Sequence, residues 1–185
     1  MSRTEEIEAL WNLVSRSDCY AGIGSRLTPD PILSFMEEIA AALATRGLIL
    51  RSGGTPGADT AFERGCDKAK GRKEIFLPWK GFNRSHSAHF SPPKEAEELA
   101  SYFHPYWNLC TLSMRKLHAR NCQQALGKNL DTPIDFLIFR APERKGWIEP
   151  GSATAVQIAR RMNIPTFNLW QEETLSLWLA AIDSL

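Results

Sequence analysis

Gly47-Leu48-Ile49-Leu50-Arg51-Ser52-Gly53-Gly54-Thr55-Pro56-Gly57-Ala58-Asp59-Thr60-Ala61-Phe62 is the stretch whose reading decides the fold. A short apolar run enters a glycine-rich turn, and the turn opens a helical pattern that continues through Glu63, Arg64 and Gly65. The reading is strand, turn, helix. Such a turn directs backbone N–H groups at an anion in front of the helix N-terminus. Gly53, Gly54 and Gly57 can take positive φ and bring a ligand close to the main chain. An ordinary tight turn between strand and helix is the plain alternative. Two further glycine-bearing turns, one on each side in the chain, favour the ligand reading.

Upstream, Thr4 to Val14 places Ile7, Leu10, Trp11 and Val14 on one helical face, with Thr4 as its cap. Cys19-Tyr20-Ala21-Gly22-Ile23-Gly24 reads as the first strand. A helix begins at Pro29, a favoured starting residue, and stops before Gly47. Strand 2 is Leu48 to Leu50, and the next helix runs from Ala58 to Ala69. Downstream, Glu74 to Pro78 is strand 3, and residues 79–93 form a long irregular loop. Helices follow over Lys94–Phe103 and Leu109–Leu126, the second stopped by Gly127. Ile134 to Phe139 is strand 4, Ser152 to Met162 a helix, Ile164 to Leu169 strand 5, and Glu172 to Ile182 a terminal helix. Short apolar strands alternating with helices predict a three-layer α/β/α arrangement around a mainly parallel sheet, as one domain over 1–185. Ligands of such sheets lie outside the strand C-termini. Three turns fall there: Gly22 to Arg26, Ser52 to Asp59, and Pro150 to Thr154.

The 185 residues suit one sizeable core, and 43% hydrophobic with 23% charged residues is an ordinary globular balance. A net charge of +1 supplies no global attraction to nucleic acid or anionic membrane. The four cysteines, Cys19, Cys66, Cys110 and Cys122, form no CxxC pair and fit no zinc signature. Cys19 and Cys66 lie in apolar patterns and read as buried thiols, and a reducing compartment fits. The N-terminal stretch from Met1 has no apolar signal core and no run reaches membrane-spanning length, so a cytosolic protein is expected.

The paired turns resemble those of the SLOG superfamily, a Rossmann-like group. It includes the Lonely-Guy-type nucleotide phosphoribohydrolases and the DNA-processing recombination mediators A. Tyr20-Ala21-Gly22-Ile23-Gly24-Ser25-Arg26 and Ser52-Gly53-Gly54-Thr55-Pro56-Gly57-Ala58-Asp59 carry the likeness, with Gly151-Ser152-Ala153-Thr154 and Ile164 to Leu169 in support. The likeness covers about Tyr20 to Leu169 and is nearest to a small phage-associated branch. It implies a Rossmann-like fold and a nucleotide or nucleotide-derived ligand, and it admits a homodimer or higher homo-oligomer. Two departures stand out. The phosphoribohydrolases carry a late Pro-Gly-Gly-x-Gly-Thr turn followed closely by glutamate. Here Pro150-Gly151-Ser152-Ala153-Thr154 is followed by Ala155 and Val156, which argues against the standard glycosidase activity. The recombination mediators add a winged-helix domain and a more basic face, neither of which is expected here.

Each candidate residue carries a functional role and a structural one. Gly22, Gly24 and Ser25 would floor the pocket, and Arg26 either clamps a phosphate or caps the sheet edge in solvent. Ser52, Gly53, Gly54, Gly57 and Ala58 belong to the second turn. Asp59 either caps its helix or binds a ribose hydroxyl. Glu63, one turn on, either joins Asp59 as a carboxylate pair for N-glycosidic cleavage or sits in surface salt bridges. Gly151, Ser152 and Thr154 offer a second anion site, and Asn168 either reads a base edge or forms a turn. Trp79 and Phe82 either stack on a base or pack on the core. The stretch with Arg115, Lys116, His118, Arg120, Asn121, Gln123 and Gln124 either contacts phosphates or a partner, or is a solvated helix face. His86, His89, His104 and His118 show no carboxylate or cysteine at ligand spacing, so no metal or cofactor is expected. Three readings remain: binding of a nucleotide-derived ligand without turnover, a nucleotide N-glycosidase using Glu63 or Asp59, and single-stranded DNA binding.

Overall fold

Every strand pairing in the central sheet is parallel, as alternating strands and helices require. The structure is a computed structural model that describes residues 2–148 and 150–185, with Pro150 as backbone alone. The Met1 end of the N-terminal stretch and the Pro150 ring of the late turn lie outside what is described. In chain order the elements are α1 (Arg3–Ser15), β1 (Cys19–Gly24), α2 (Asp30–Thr45), β2 (Ile49–Ser52), α3 (Ala58–Lys68) and β3 (Lys73–Leu77). Then come β4 (His89–Phe90), α4 (Lys94–Phe103), α5 (Leu112–Leu126), β5 (Phe136–Arg140), β6 (Glu143–Arg144) and β7 (Trp147–Ile148). The chain closes with α6 (Pro150–Arg161), β8 (Thr166–Asn168) and α7 (Glu172–Asp183). The six-stranded order is β4-β3-β2-β1-β5-β8, and β6 and β7 form a separate antiparallel ribbon. The fold is Rossmann-like α/β, with helices on both faces of the sheet.

Period-two alternation distributes the strand side chains. Phe136 and Ile138 of β5 enter one layer with Tyr20, Phe62 and Trp178, under α1, α2, α3 and α7. Leu137 and Phe139 enter the other with Ala21 and Ile23, under α4, α5 and α6. Phe62, Phe136 and Trp178 are fully buried, each stabilising the fold by about 1.5–3 kcal/mol of transfer free energy. The second layer is rich in alanine: Ala96, Ala100, Ala119, Ala125, Ala155 and Ala159 are all buried. Small side chains let α4, α5 and α6 approach one another closely.

Local chemistry moved several boundaries. Ser2, not Thr4, caps α1: its Oγ accepts from Glu5 N–H, while Glu5 accepts from Ser2 N–H at 2.6 Å. β2 runs on to Ser52 and so into the glycine turn. The expected helix from Leu109 is divided: a 3₁₀ turn over Trp107–Leu109 is followed by α5, capped by Thr111. The long loop carries a 3₁₀ turn over Phe82–Arg84 and the edge strand β4, which extends the sheet beyond β3.

Candidate functional site

The chain leaves β1 toward β2 on one side, and β5 joins β1 on the other. The carboxyl ends of β1 and β5 therefore flank a topological switch point, where open α/β sheets receive ligands. A cavity of about 430 Å³ opens there. The loop after β1 contributes Gly24, Ser25, Arg26 and Leu27, and the glycine turn contributes Thr55. Met114, Leu117, His118, Arg120, Asn121 and Gln124 come from α5, and Gly151 and Ser152 from the start of α6.

Asp59 ties these parts together. It lies in the first turn of α3 and is 4% exposed. Its Oδ1 accepts from Gly24 N–H at 3.2 Å, and Oδ2 from Thr55 N–H at 3.3 Å. The guanidinium of Arg120 stands 3.5 Å from Oδ2. Burial raises the Asp59 carboxyl above the usual range, while Arg120 and the two backbone N–H groups pull it back. Arg120 is equally buried and donates to Gly53 C=O and to Thr55 Oγ1 (3.2 Å). One carboxylate thus joins the loops after β1 and β2 to α5. Asp59 is not the expected cap of its own helix, since both backbone donors lie outside α3, and its lone pairs are engaged by the protein's own donors.

The glycine turn serves the protein more than the cavity. A Cβ at Gly53 would strike the Arg120 guanidinium, so this glycine admits an internal arginine. Gly57 caps α3 at φ 97°, and a Cβ there would meet the backbone of Ser25 and Arg26. Gly54 lies outside the cavity, its carbonyl held by Asn83 Nδ2 at 2.9 Å. Gly22 and Ala58 pack beneath, and Ser52 is wholly buried, its Oγ donating to Gly22 C=O at 2.7 Å. The residues that do reach the cavity from the expected set are Gly24, Ser25, Arg26, Asp59, Gly151 and Ser152.

Glu63 is displaced from the expected carboxylate pair. One helical turn carries it to the edge of the sheet, where Lys73 Nζ binds it at 2.8 Å and also binds Asp67. Asp59 faces the cavity and Glu63 does not, so the two carboxylates share no site. Asn168 is also outside the cavity. Its Nδ2 donates to Ala141 C=O at 3.0 Å and its Oδ1 accepts from Ala141 N–H and Trp170 N–H, which pins the turns after β5 and β8. Thr154 accepts or donates at His118 Nδ1 over 3.2 Å and does not line the cavity. Trp79 and Phe82 meet edge to face at 5.1 Å, with Phe82 buried beside Ile75 and Leu77, so their role is packing.

The α5 contribution exceeds the expectation of a solvated face. His118 through Leu126 are all buried, and this run includes His118, Arg120, Asn121, Gln123 and Gln124. Polar residues this deep must have partners. Asn121 donates to Gly151 C=O at 3.0 Å and Gln123 to Lys128 C=O at 3.0 Å. No local signal marked the burial of these polar residues, because it depends on partners in other loops. Arg26, in contrast, is exposed at the rim and makes no ion pair or hydrogen bond through its guanidinium among the described residues.

A grouping of His104, Cys110 and His118 corrects the expectation that no cysteine accompanies the histidines. Their donor atoms lie within 4.8 Å of one another. The 3₁₀ turn over Trp107–Leu109 folds back on α5, bringing together residues whose spacing matches no familiar motif. Burial, then the neighbouring His104 and Arg120, push His118 down to about 4, so its imidazole is neutral at neutral pH.

No protein-family model matches the chain, and a search among curated proteins finds no sequence match. Solved structures do match in fold. The molybdenum cofactor carrier protein of Chlamydomonas reinhardtii superposes with a TM-score of 0.54 at 20% identity, over 92% of this chain and 87% of that one. DNA processing protein A of Streptococcus pneumoniae gives a TM-score of 0.54 at 17% identity, over 94% of this chain and 58% of that one. Both likenesses are of the Rossmann-like α/β fold. Among the described residues, no helix is long and apolar enough to cross a membrane.

Proposed function

We propose that this protein binds a nucleotide or nucleotide-derived small molecule in the switch-point cavity and does not transform it. The observation that carries this reading is the convergence of an exposed cation, unpaired among the described residues, and a helix N-terminus on one cleft that also has apolar walls. Arg26 offers a bidentate fork to a phosphate. The first turn of α6 presents Gly151 and Ser152, whose N–H groups have no partner within the helix. Leu27, Met114 and Leu117 supply a surface for a base, and the amides of Asn121 and Gln124 supply donors and acceptors for its edge. A volume of about 430 Å³ suits a ligand of that size.

Binding without turnover follows from the carboxylates. Hydrolysis of an N-glycosidic bond needs a carboxylate free to polarise water or to steady positive charge on the sugar. Asp59 is held by Gly24, Thr55 and Arg120, and Glu63 by Lys73. The similar fold of a protein named for carrying a cofactor supports the same reading.

The test is a thermal-shift screen of the purified chain against nucleoside mono-, di- and triphosphates, NAD, ADP-ribose and oligo-dT, with product analysis of each hit. Binding stabilises the folded state by mass action. The expected result is a shift with a small nucleotide that is recovered intact. Recovery of free base would replace binding by N-glycosidase activity. A shift with oligo-dT alone would transfer the function to single-stranded DNA.

A further inference from the structure

We propose that His104, Cys110 and His118 form a three-ligand site for a zinc-class divalent cation at the end of the cavity, with a fourth position open to an exogenous ligand. The three side chains come from three separate pieces of backbone. His104 follows α4, Cys110 follows the 3₁₀ turn, and His118 sits in the second turn of α5. Their donor atoms already lie within 4.8 Å of one another, and Cys110 Sγ stands 3.6 Å from His104 Nδ1 and 3.9 Å from Nε2. Bond lengths of about 2.0–2.3 Å place tetrahedral nitrogen and sulfur ligands about 3.3–3.6 Å apart. Binding therefore asks for a contraction that side-chain rotation supplies, and no movement of strands.

The surroundings suit ligation. His118 is within hydrogen-bond distance of Thr154 Oγ1 through Nδ1, at 3.2 Å. With Nδ1–H donating to that hydroxyl, the lone pair is on Nε2, and Thr154 acts as the outer partner that fixes the ring. Trp107 packs edge-on against both imidazoles, at 6.3 Å from His104 and 6.5 Å from His118. His104 and His118 are 4.3 Å apart, centroid to centroid. Coordination through His104 Nδ1 would displace only the long 3.3 Å hydrogen bond from Tyr106 N–H. Cys110 and His118 are buried and His104 is half-buried, so an ion has an entry path. Two imidazoles and one thiol are a borderline-soft donor set, which selects zinc or cobalt over magnesium or calcium. Binding releases the thiol proton to solvent, and the resulting thiolate offsets one of the two metal charges. Because His118 also lines the nucleotide cavity, the open position lies beside that ligand's space, yet the metal site stands without any nucleotide.

Cobalt(II) titration of the chelator-treated full-length protein tests the site, since cobalt reports both thiolate ligation and tetrahedral geometry. The expected result is one equivalent bound, with a thiolate-to-cobalt charge-transfer band in the near ultraviolet and intense visible d–d bands, both removed by added zinc. Cys110→Ser should abolish the charge-transfer band while the other three cysteines remain. His104→Ala, at a half-buried position, provides a second variant should Cys110→Ser fold poorly, with circular dichroism as the check. Thr154→Val should keep the band and weaken binding by about ten- to a hundredfold. No charge-transfer band in the wild-type protein, or the same band in Cys110→Ser, would overturn the proposal. So would rapid alkylation of Cys110 by iodoacetamide that zinc does not slow, which would identify Cys110–His104 as a nucleophile pair instead.

Discussion

Asp59 and Arg120 are paired at 3.5 Å although each side chain is only 5% exposed, and they lie far apart in the chain. This pair is where the cavity's floor meets its α5 wall. Breaking a buried ion pair by removing one partner leaves the other charge desolvated, at a cost of about 3–5 kcal/mol. Asp59→Asn is expected to lower the unfolding free energy by that amount in a denaturant titration. The double variant Asp59→Asn, Arg120→Met should cost less than the sum of the single changes. Additive losses would mean that the two residues act independently.

Arg26 should behave in the opposite way. It is exposed and, among the described residues, touches no other charge, so Arg26→Ala should leave stability within about 0.5 kcal/mol of wild type. Removing a charge-assisted contact worth about 1.5–3 kcal/mol should nevertheless weaken nucleotide binding by about ten- to a hundredfold. Calorimetry with the ligand found by thermal shift provides the measurement. Unchanged affinity would place the anion site elsewhere.

Gly57→Ala combines two penalties. A residue with φ 97° is strained for any L side chain, by about 1–2 kcal/mol. The added methyl would also lie 2.8 Å from both Arg26 Cα and Ser25 O. The expected loss exceeds about 2 kcal/mol, with weaker ligand binding because the Arg26 loop must shift. A stability change below about 0.5 kcal/mol would show that the loop relaxes freely.

Acid stability depends on Glu143. Hydrogen bonds from Arg160, at 2.8 and 3.1 Å, hold its carboxyl below the usual glutamate range; burial opposes this, and Asn168 adds a further hydrogen bond. A carboxyl depressed in the folded state contributes stability that is complete above its unfolded pKa. That contribution disappears as pH falls through the folded value. Thermal midpoints measured from pH 7 to pH 3 should therefore fall more steeply for wild type than for Glu143→Gln. Parallel curves would remove Glu143 from the acid response.

The fold was largely legible because period and punctuation are local properties. The apolar run Leu48–Leu50, the glycines after it and the helical spacing from Ala58 lie within a few residues of one another. The site was legible only at its loops. Gly24, Ser25, Arg26 and Asp59 were marked by their place after a strand. The α5 wall was hidden because burial of Arg120, Asn121 and Gln124 depends on partners in other loops, and no local pattern records it. Gly53 shows the ambiguity within a motif, since the room made by its missing side chain is filled by Arg120. His104, Cys110 and His118 were unreadable as a group because a 3₁₀ turn, not a repeat of spacing, brings them together.

The sheet ends on one side in β4, a strand of two residues, and on the other in β8, a strand of three. Strands this short leave few unpaired backbone groups for a foreign chain to align against, so both margins resist intermolecular strand addition. The apolar runs most able to nucleate fibrils, such as Phe136–Phe139, sit at interior positions of the ladder. Self-templated aggregation would therefore begin from the unfolded chain rather than from the native one, and its rate should follow unfolding.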